Sequence, residues 1–108
     1  MMHAHRNIEP EELRDKIDRK DDFLLLDVRT PGEHIAQAIE GSHLLPLQEL
    51  NFRVGELRKD QEIVVYCRVG NRSAFAADYL ARLGYRVTNL AGGITAWNQC
   101  GTCVNALA

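Results

Sequence analysis

A single cysteine, Cys67, stands in a short segment whose composition favours a reactive thiolate. The segment Cys67-Arg68-Val69-Gly70-Asn71-Arg72-Ser73 follows an apolar run and precedes a helical pattern. Two arginines lie close to the cysteine, no acid lies in the segment, and a helix N-terminus carries positive partial charge. Each of these features lowers the pKa of a thiol. Because the thiolate is the nucleophilic form of cysteine, the segment predicts covalent sulfur chemistry at Cys67.

The same segment contains residue types that form anion cradles. Gly70 adopts a positive φ without strain, and Asn71 tolerates one better than most residues. The backbone N–H groups of residues 68–73 are therefore predicted to face a single atom, such as the outer sulfur of a persulfide or an attacking thiosulfate. Ser73 is expected to cap the helix that follows. The alternative interpretation is that Cys67 is an inert residue ending a core strand, but the glycine and the two arginines favour the reactive one.

The elements around this loop predict a single α/β domain. Residues 23–26 and 63–66 are continuous apolar runs without alternation, as is typical of parallel strands buried on both faces. Strands that alternate with helices indicate a mainly parallel sheet with helices on both faces, formed by the whole chain 1–108 with its core at about 8–104. The other predicted elements are helices near 9–20, 31–37, 47–57, 73–83 and 94–99, and strands near 42–45 and 85–90.

Composition and charge exclude several classes of function. Thirteen basic and fifteen acidic residues give a net charge of −2, so neither a nucleic-acid partner nor a membrane surface is predicted. No apolar run approaches the ~20 residues that span a bilayer. The first residues lack the apolar stretch of a signal peptide. A cytoplasmic protein is therefore expected.

A second cysteine motif, the C-x-x-C formed by Cys100 and Cys103, lies near the end of the chain. Three cysteines and no export signal argue against a structural disulfide framework. The pair is interpreted either as a redox pair or relay that takes sulfur from Cys67, or as two unremarkable thiols. A zinc site would need two more ligands, which only His3 and His5 could add, by folding back or from another subunit. No metal and no cofactor are predicted.

Three motifs in this order resemble signatures of the rhodanese family of sulfurtransferases. With their flanking elements they cover nearly the whole chain, from Ile8 to Val104. In the family a Gly-His-Ile step is usually followed by a second glycine. Residues 37–39 differ from that step, whereas Gly41 corresponds to the second glycine. The three motifs are Cys-Arg-Val-Gly-Asn-Arg-Ser from Cys67, Leu26-Asp27-Val28-Arg29 followed by Glu33, and Leu90-Ala91-Gly92-Gly93-Ile94 followed by Trp97.

This resemblance implies a two-step transfer through a persulfide on Cys67. The sulfur would come from a small anionic donor, thiosulfate or polysulfide, and pass to cyanide or to an acceptor thiol of the thioredoxin or glutathione kind. Arg68 and Arg72 would attract the donor and favour the thiolate. Asp27 and Arg29 would brace the loop from the neighbouring strand end rather than react.

Two alternative functions use the same type of loop. A sulfur carrier or docking module would keep Cys67 but turn over small donors poorly. Cysteine phosphatases and arsenate reductases have five residues between the cysteine and the arginine of the loop, whereas four separate Cys67 from Arg72. A smaller cradle suits a sulfur atom better than a tetrahedral phosphate, and the loop holds no carboxylic acid to protonate a leaving group. The sulfurtransferase is therefore the leading interpretation.

Overall fold

The computed structural model describes residues 5–104 and has alternating strands and helices. Two 3₁₀ turns, Leu47–Glu49 and Val54–Glu56, flank one of the helices. In chain order the strands and helices are β1 (Arg6–Ile8), α1 (Pro10–Asp18), β2 (Phe23–Asp27), α2 (Pro31–Ala36), β3 (His43–Leu44), α3 (Leu50–Arg53), β4 (Glu62–Tyr66), α4 (Asn71–Arg82), β5 (Val87–Leu90), α5 (Gly93–Gln99) and α6 (Gly101–Val104).

The strands form one parallel sheet in the order β1-β5-β4-β2-β3. The central strand β4 pairs with β2 on one side and β5 on the other. Residues 63–66 of β4 are buried on both faces, which explains why this run is apolar without alternation. The prediction of a single α/β domain with a mainly parallel sheet is confirmed.

The sheet separates two apolar cores. The first core contains Val65 and Cys67 of the central strand region, covered by α4 through residues such as Leu80. The second core contains Tyr66 and is covered by α1 and α5 through Leu13 and Trp97, among others. Because successive strand residues point to opposite faces, Cys67 lies on the α4 side of the sheet.

The structure differs from the predicted elements mainly in its short segments. Strand β1 and helix α6 were not predicted, because three or four residues carry too little periodicity to be recognised. The predicted helix over 47–57 is instead a sequence of 3₁₀ turn, four-residue helix and 3₁₀ turn. Helix α4 begins at Asn71 rather than at 73. Within residues 5–104 no helix has both the length and the apolar character needed to cross a membrane.

Helix α4 should depend on its contact with the first core. Leu80 is fully buried, whereas Leu83 at the end of the same helix is 39% exposed. We expect Leu80→Ala to lower the free energy of unfolding by about 2–5 kcal/mol, because it removes buried methyl groups and leaves a cavity. Urea unfolding of Leu83→Ala, the matched control, should give a much smaller loss. Equal losses for the two variants would contradict this packing.

Candidate active site

The thiol of Cys67 is buried at the carboxyl end of β4, where three hydrogen bonds converge on its sulfur. The N–H groups of Gly70 and Ser73 donate to Sγ at 3.1 and 3.4 Å, and the hydroxyl of Ser73 donates at 3.2 Å. The residue is only 1% exposed. Hydrogen bonds from the protein therefore replace most of the water that would surround an exposed sulfur.

These donors decide the acidity of the thiol. Burial alone raises the pKa of Cys67, because it removes water from the charged form. The hydroxyl and N–H of Ser73 and the N–H groups of Gly70 and Val69 act in the opposite direction, and the net result is a pKa below the ordinary value of a cysteine. The N-terminus of the twelve-residue helix α4 adds positive potential at the same place. The arrangement favours a thiolate.

Gly70 and Ser73 have different roles in the local backbone. Gly70 has a φ of 108°, the left-handed conformation expected of it, and it is the N-cap of α4. The expectation that Ser73 caps this helix is wrong, because α4 starts two residues earlier and Ser73 lies in its first turn. Its hydroxyl is directed at Cys67 instead.

Helix α5 closes the loop from the other side. The N–H groups of Ile94 and Thr95 donate to the carbonyl oxygens of Cys67 and Arg68, at 2.9 and 3.0 Å. Gly93 has a φ of 62°, and a side chain there would overlap these two carbonyl groups. Only glycine fits this approach, which gives the Gly-Gly motif of the sequence a physical role.

Arg72 is paired within the protein rather than directed at a donor. Its guanidinium donates to both carboxylate oxygens of Glu33 on α2, at 2.8 and 2.9 Å. This pair, with the hydrogen bonds of Thr30, lowers the pKa of Glu33 from 4.5 to about 2. Glu33 offsets much of the charge of Arg72, and the expectation that Arg72 attracts the anionic donor stays a prediction. The loop itself contains no acid, and the acid that pairs with Arg72 belongs to helix α2.

The remaining loop side chains face outward. Arg68 and Asn71 are exposed, and Val69 is 42% exposed. Among the hydrogen bonds and ion pairs of residues 5–104, none involves the guanidinium of Arg68, unlike that of Arg72. Arg68 is thus the loop cation that remains available to an anion from solution.

Asp27 and Arg29 are buried in a network beside the loop rather than solvated at the surface. Asp27 is fully buried and Arg29 is 4% exposed, and they form a two-pronged ion pair with distances of 2.9 and 2.7 Å. Burial raises the pKa of Asp27, but hydrogen bonds from Arg29 and His34 outweigh it, so the pKa lies below the usual range. Arg29 also donates to the carbonyl of Gln37 at 2.6 Å.

Two members of this network were not identified from the sequence. The ring nitrogen Nδ1 of His34 lies 2.8 Å from Asp27 Oδ2, and the hydroxyl of Tyr66 donates to the same oxygen at 3.2 Å. Tyr66 ends the run 63–66 that is predicted to be a buried strand; its ring lies in the second core, but its hydroxyl joins the network. Since Tyr66 precedes Cys67 directly, the network fixes the strand end from which the loop departs.

The tail cysteines are not brought to this loop. Cys100 and Cys103 form a disulfide with each other, as a redox pair can and two free thiols do not. Cys103 is buried in the second core, with Cys100 packed against it, whereas Cys67 belongs to the first. A direct transfer of sulfur from Cys67 to the pair finds no support in this geometry, and a redox role of the pair stays a prediction.

No group of three or more potential metal ligands occurs within residues 5–104. Of the two histidines considered for a zinc site, His5 lies 2.7 Å from Asp78, and His3 lies outside the described residues.

Comparison with known proteins identifies related sequences. The family model described as a rhodanese-like domain matches residues 9–100. A protein of Allochromatium vinosum named sulfurtransferase is 42% identical, over 87% of this chain and 89% of that protein. A protein of Pseudoalteromonas translucida named thiosulfate sulfurtransferase GlpE is 35% identical, over 72% and 75% of the two chains.

A solved structure shows the same fold. The rhodanese-related protein of Thermoplasma volcanium has a TM-score of 0.83 and 35% identity, over 90% of this chain and 94% of that one. Some relatives are much longer. This chain spans 24% of a Mycobacterium tuberculosis protein named for adenylyltransferase and sulfurtransferase activities.

The ion pair between Glu33 and Arg72 should make stability depend on pH. Because folding lowers the pKa of Glu33 from 4.5 to about 2, the stabilisation is complete above pH 4.5 and is lost as the pH falls towards 2. At pH 7 we expect Glu33→Gln to lower the free energy of unfolding by on the order of 1 kcal/mol, allowing for solvent screening. In urea unfolding the difference should shrink as the pH is lowered. A difference independent of pH would contradict the role of this charge.

Gly93 should not tolerate a side chain. Gly93→Ala places a methyl group against the carbonyls of Cys67 and Arg68 in a backbone conformation that alanine rarely adopts. We expect it to lower the free energy of unfolding by about 1–3 kcal/mol and to reduce the reactivity of the thiol. Gly32→Ala is the control, since a methyl group there meets nothing within 4 Å. Unfolding curves and alkylation rates of the two variants should differ, and matching results would refute the close approach.

Proposed function

The chain belongs to the rhodanese-like domain family, and from that premise we propose that it moves a sulfane sulfur from an anionic donor to a thiol or cyanide through a persulfide on Cys67. A role in sulfur transfer agrees with relatives that are named sulfurtransferases. The persulfide, the donor and the acceptor are our proposals. The observation that carries them is the convergence of the donors from Gly70 and Ser73 on a buried Sγ.

In the first step the thiolate of Cys67 attacks the outer sulfur of the donor. With thiosulfate, a new S–S bond forms to Sγ, the S–S bond of thiosulfate breaks, and sulfite leaves with the bonding electron pair. The negative charge that remains on the protein moves from Sγ to the outer sulfur of the persulfide. The hydrogen bonds that lower the pKa of Cys67 favour the thiolate, so the proposed step uses no separate base.

In the second step an acceptor removes the outer sulfur. Cyanide or a thiolate attacks it, the S–S bond of the persulfide breaks, and its electron pair returns to Sγ. The same N–H and hydroxyl donors stabilise the thiolate that leaves. A cradle that stabilises Sγ as both nucleophile and leaving group therefore serves both halves of the reaction.

The charges around the loop favour a small anionic donor. Arg68 is exposed next to Cys67 and is not offset as Arg72 is. Thiosulfate carries two negative charges, so Arg68 attracts it, and this attraction should weaken with added salt. The acceptor proposed for the cell is a small or protein thiol of the glutathione or thioredoxin kind, and the proposed location is the cytoplasm.

Thiocyanate formation from thiosulfate and cyanide tests the proposal. We expect the protein to form thiocyanate, and Cys67→Ser to reduce the rate at least about a thousandfold, because the nucleophile is lost. The double variant Cys100→Ser/Cys103→Ser is the matched control and should keep the rate with cyanide. The rate of this double variant with glutathione as acceptor also tests a redox or relay role of the cysteine pair.

Two outcomes would count against the proposal. Undiminished turnover by Cys67→Ser would remove Cys67 as the nucleophile. Failure of the unmodified protein to turn over with thiosulfate or polysulfide would favour the carrier or docking role, which uses the same loop.

A further inference from the structure

Asn89 is a buried polar residue on the Cys67 side of the sheet. It lies on β5 opposite Val65 of β4 and is only 5% exposed. Paired residues of neighbouring strands point to the same face, and Val65 and Cys67 share a face because they are two residues apart. The amide of Asn89 therefore lies among the residues of the first core, beneath the loop.

The amide of Asn89 contacts the loop at Gly70. Its Nδ2 donates to the carbonyl oxygen of Gly70 at 3.4 Å. The N–H of Ala74 donates to the same oxygen at 3.0 Å, as the first hydrogen bond of α4. The carbonyl of Gly70 is thus held from two directions, while the N–H of the same residue donates to Cys67 Sγ.

The position of Asn89 is unfavourable for the fold alone. Its Oδ1 is buried and accepts no hydrogen bond from any residue between 5 and 104. Its neighbours on this face, Val65 and Val87, are apolar and pack in the first core. A buried amide with only one of its groups satisfied stabilises a core less than an apolar residue of similar size. The amide is better explained by its contact with the loop.

We propose that Asn89 is a positioning residue that holds Gly70 in its left-handed conformation and thereby aims the Gly70 N–H at the sulfur of Cys67. The backbone of Gly70 lies directly over the end of β5, since a Cβ atom built there would be 3.5 Å from the Gly92 nitrogen and 3.9 Å from Asn89 Nδ2. A side chain at position 89 is therefore close enough to control the peptide groups of Gly70. Asn89 acts through Gly70 and does not contact the reacting sulfur.

The test is the pH dependence of Cys67 alkylation by iodoacetamide in Asn89→Leu, which keeps the size of the side chain and removes the donor. Cys100 and Cys103 are held in their disulfide by omitting reductant after desalting. We expect the alkylation profile to move to higher pH and the rate near neutral pH to fall about tenfold, as for loss of one aligned hydrogen bond to a charged group. The loss should largely disappear at alkaline pH, where the thiol is ionised in both proteins.

Asn89→Ser provides a second variant. Serine is too short to reach Gly70, and because it is smaller than asparagine it introduces no clash at this buried position. Thr88→Val is the control, since it removes the other buried unpartnered oxygen between residues 5 and 104 from the opposite face of the same strand. It should leave the profile unchanged. An unchanged profile in folded Asn89→Leu or Asn89→Ser, or an equal shift in Thr88→Val, would overturn the proposal.

This inference deepens the proposed function but does not share its test. Alkylation reports the thiolate whether or not sulfur is transferred, so failure of the thiocyanate assay leaves the result intact. If the proposed function is also correct, the kcat of Asn89→Leu should fall in parallel with its alkylation rate, while the KM for thiosulfate changes little.

Discussion

The sulfur of Cys67 lies almost entirely out of contact with solvent, and a buried anion is stable only where hydrogen-bond donors replace the water it has lost. The three donors from Gly70 and Ser73 meet this requirement only if the loop turns tightly around the sulfur. The tight turn in turn requires a residue with positive φ at position 70. The surrounding structure can be understood as the set of contacts that keep this turn closed.

Those contacts come from elements far apart in the sequence. The parallel sheet directs the carboxyl ends of β2, β4 and β5 to one edge, where α5 binds the carbonyls of Cys67 and Arg68 and α2 binds Arg72 through Glu33. Asp27 and its partners fix the end of β4 from the adjacent strand. All these supports come from the protein itself, so they hold the loop around the sulfur without any contact from a donor, which is the condition for effective electrostatic stabilisation.

The sequence predicts the centre of this site better than its supports. Cys67, the positive φ of Gly70 and the α/β order follow from local residue types, which determine strands, tight turns and helix ends. Glu33 as the partner of Arg72, and His34 and Tyr66 as partners of Asp27, depend on side chains that meet only after folding. Helix α4 begins at Asn71 rather than at the predicted Ser73 for a similar reason. The Ser73 hydroxyl donates to the sulfur of Cys67 instead of capping the helix. The spacing of Cys100 and Cys103 fits either a disulfide or two free thiols, so the residue types alone do not decide between them.

The central claim, that Cys67 accepts sulfur, is tested most directly by the intact mass of the protein. The purified protein is treated with thiosulfate and then with cyanide, and its mass is measured after each addition beside that of Cys67→Ser. The account predicts that the protein gains the mass of one sulfur atom with thiosulfate and loses it with cyanide, and that the variant gains nothing. No gain with either thiosulfate or polysulfide, or an equal gain in the variant, would contradict it.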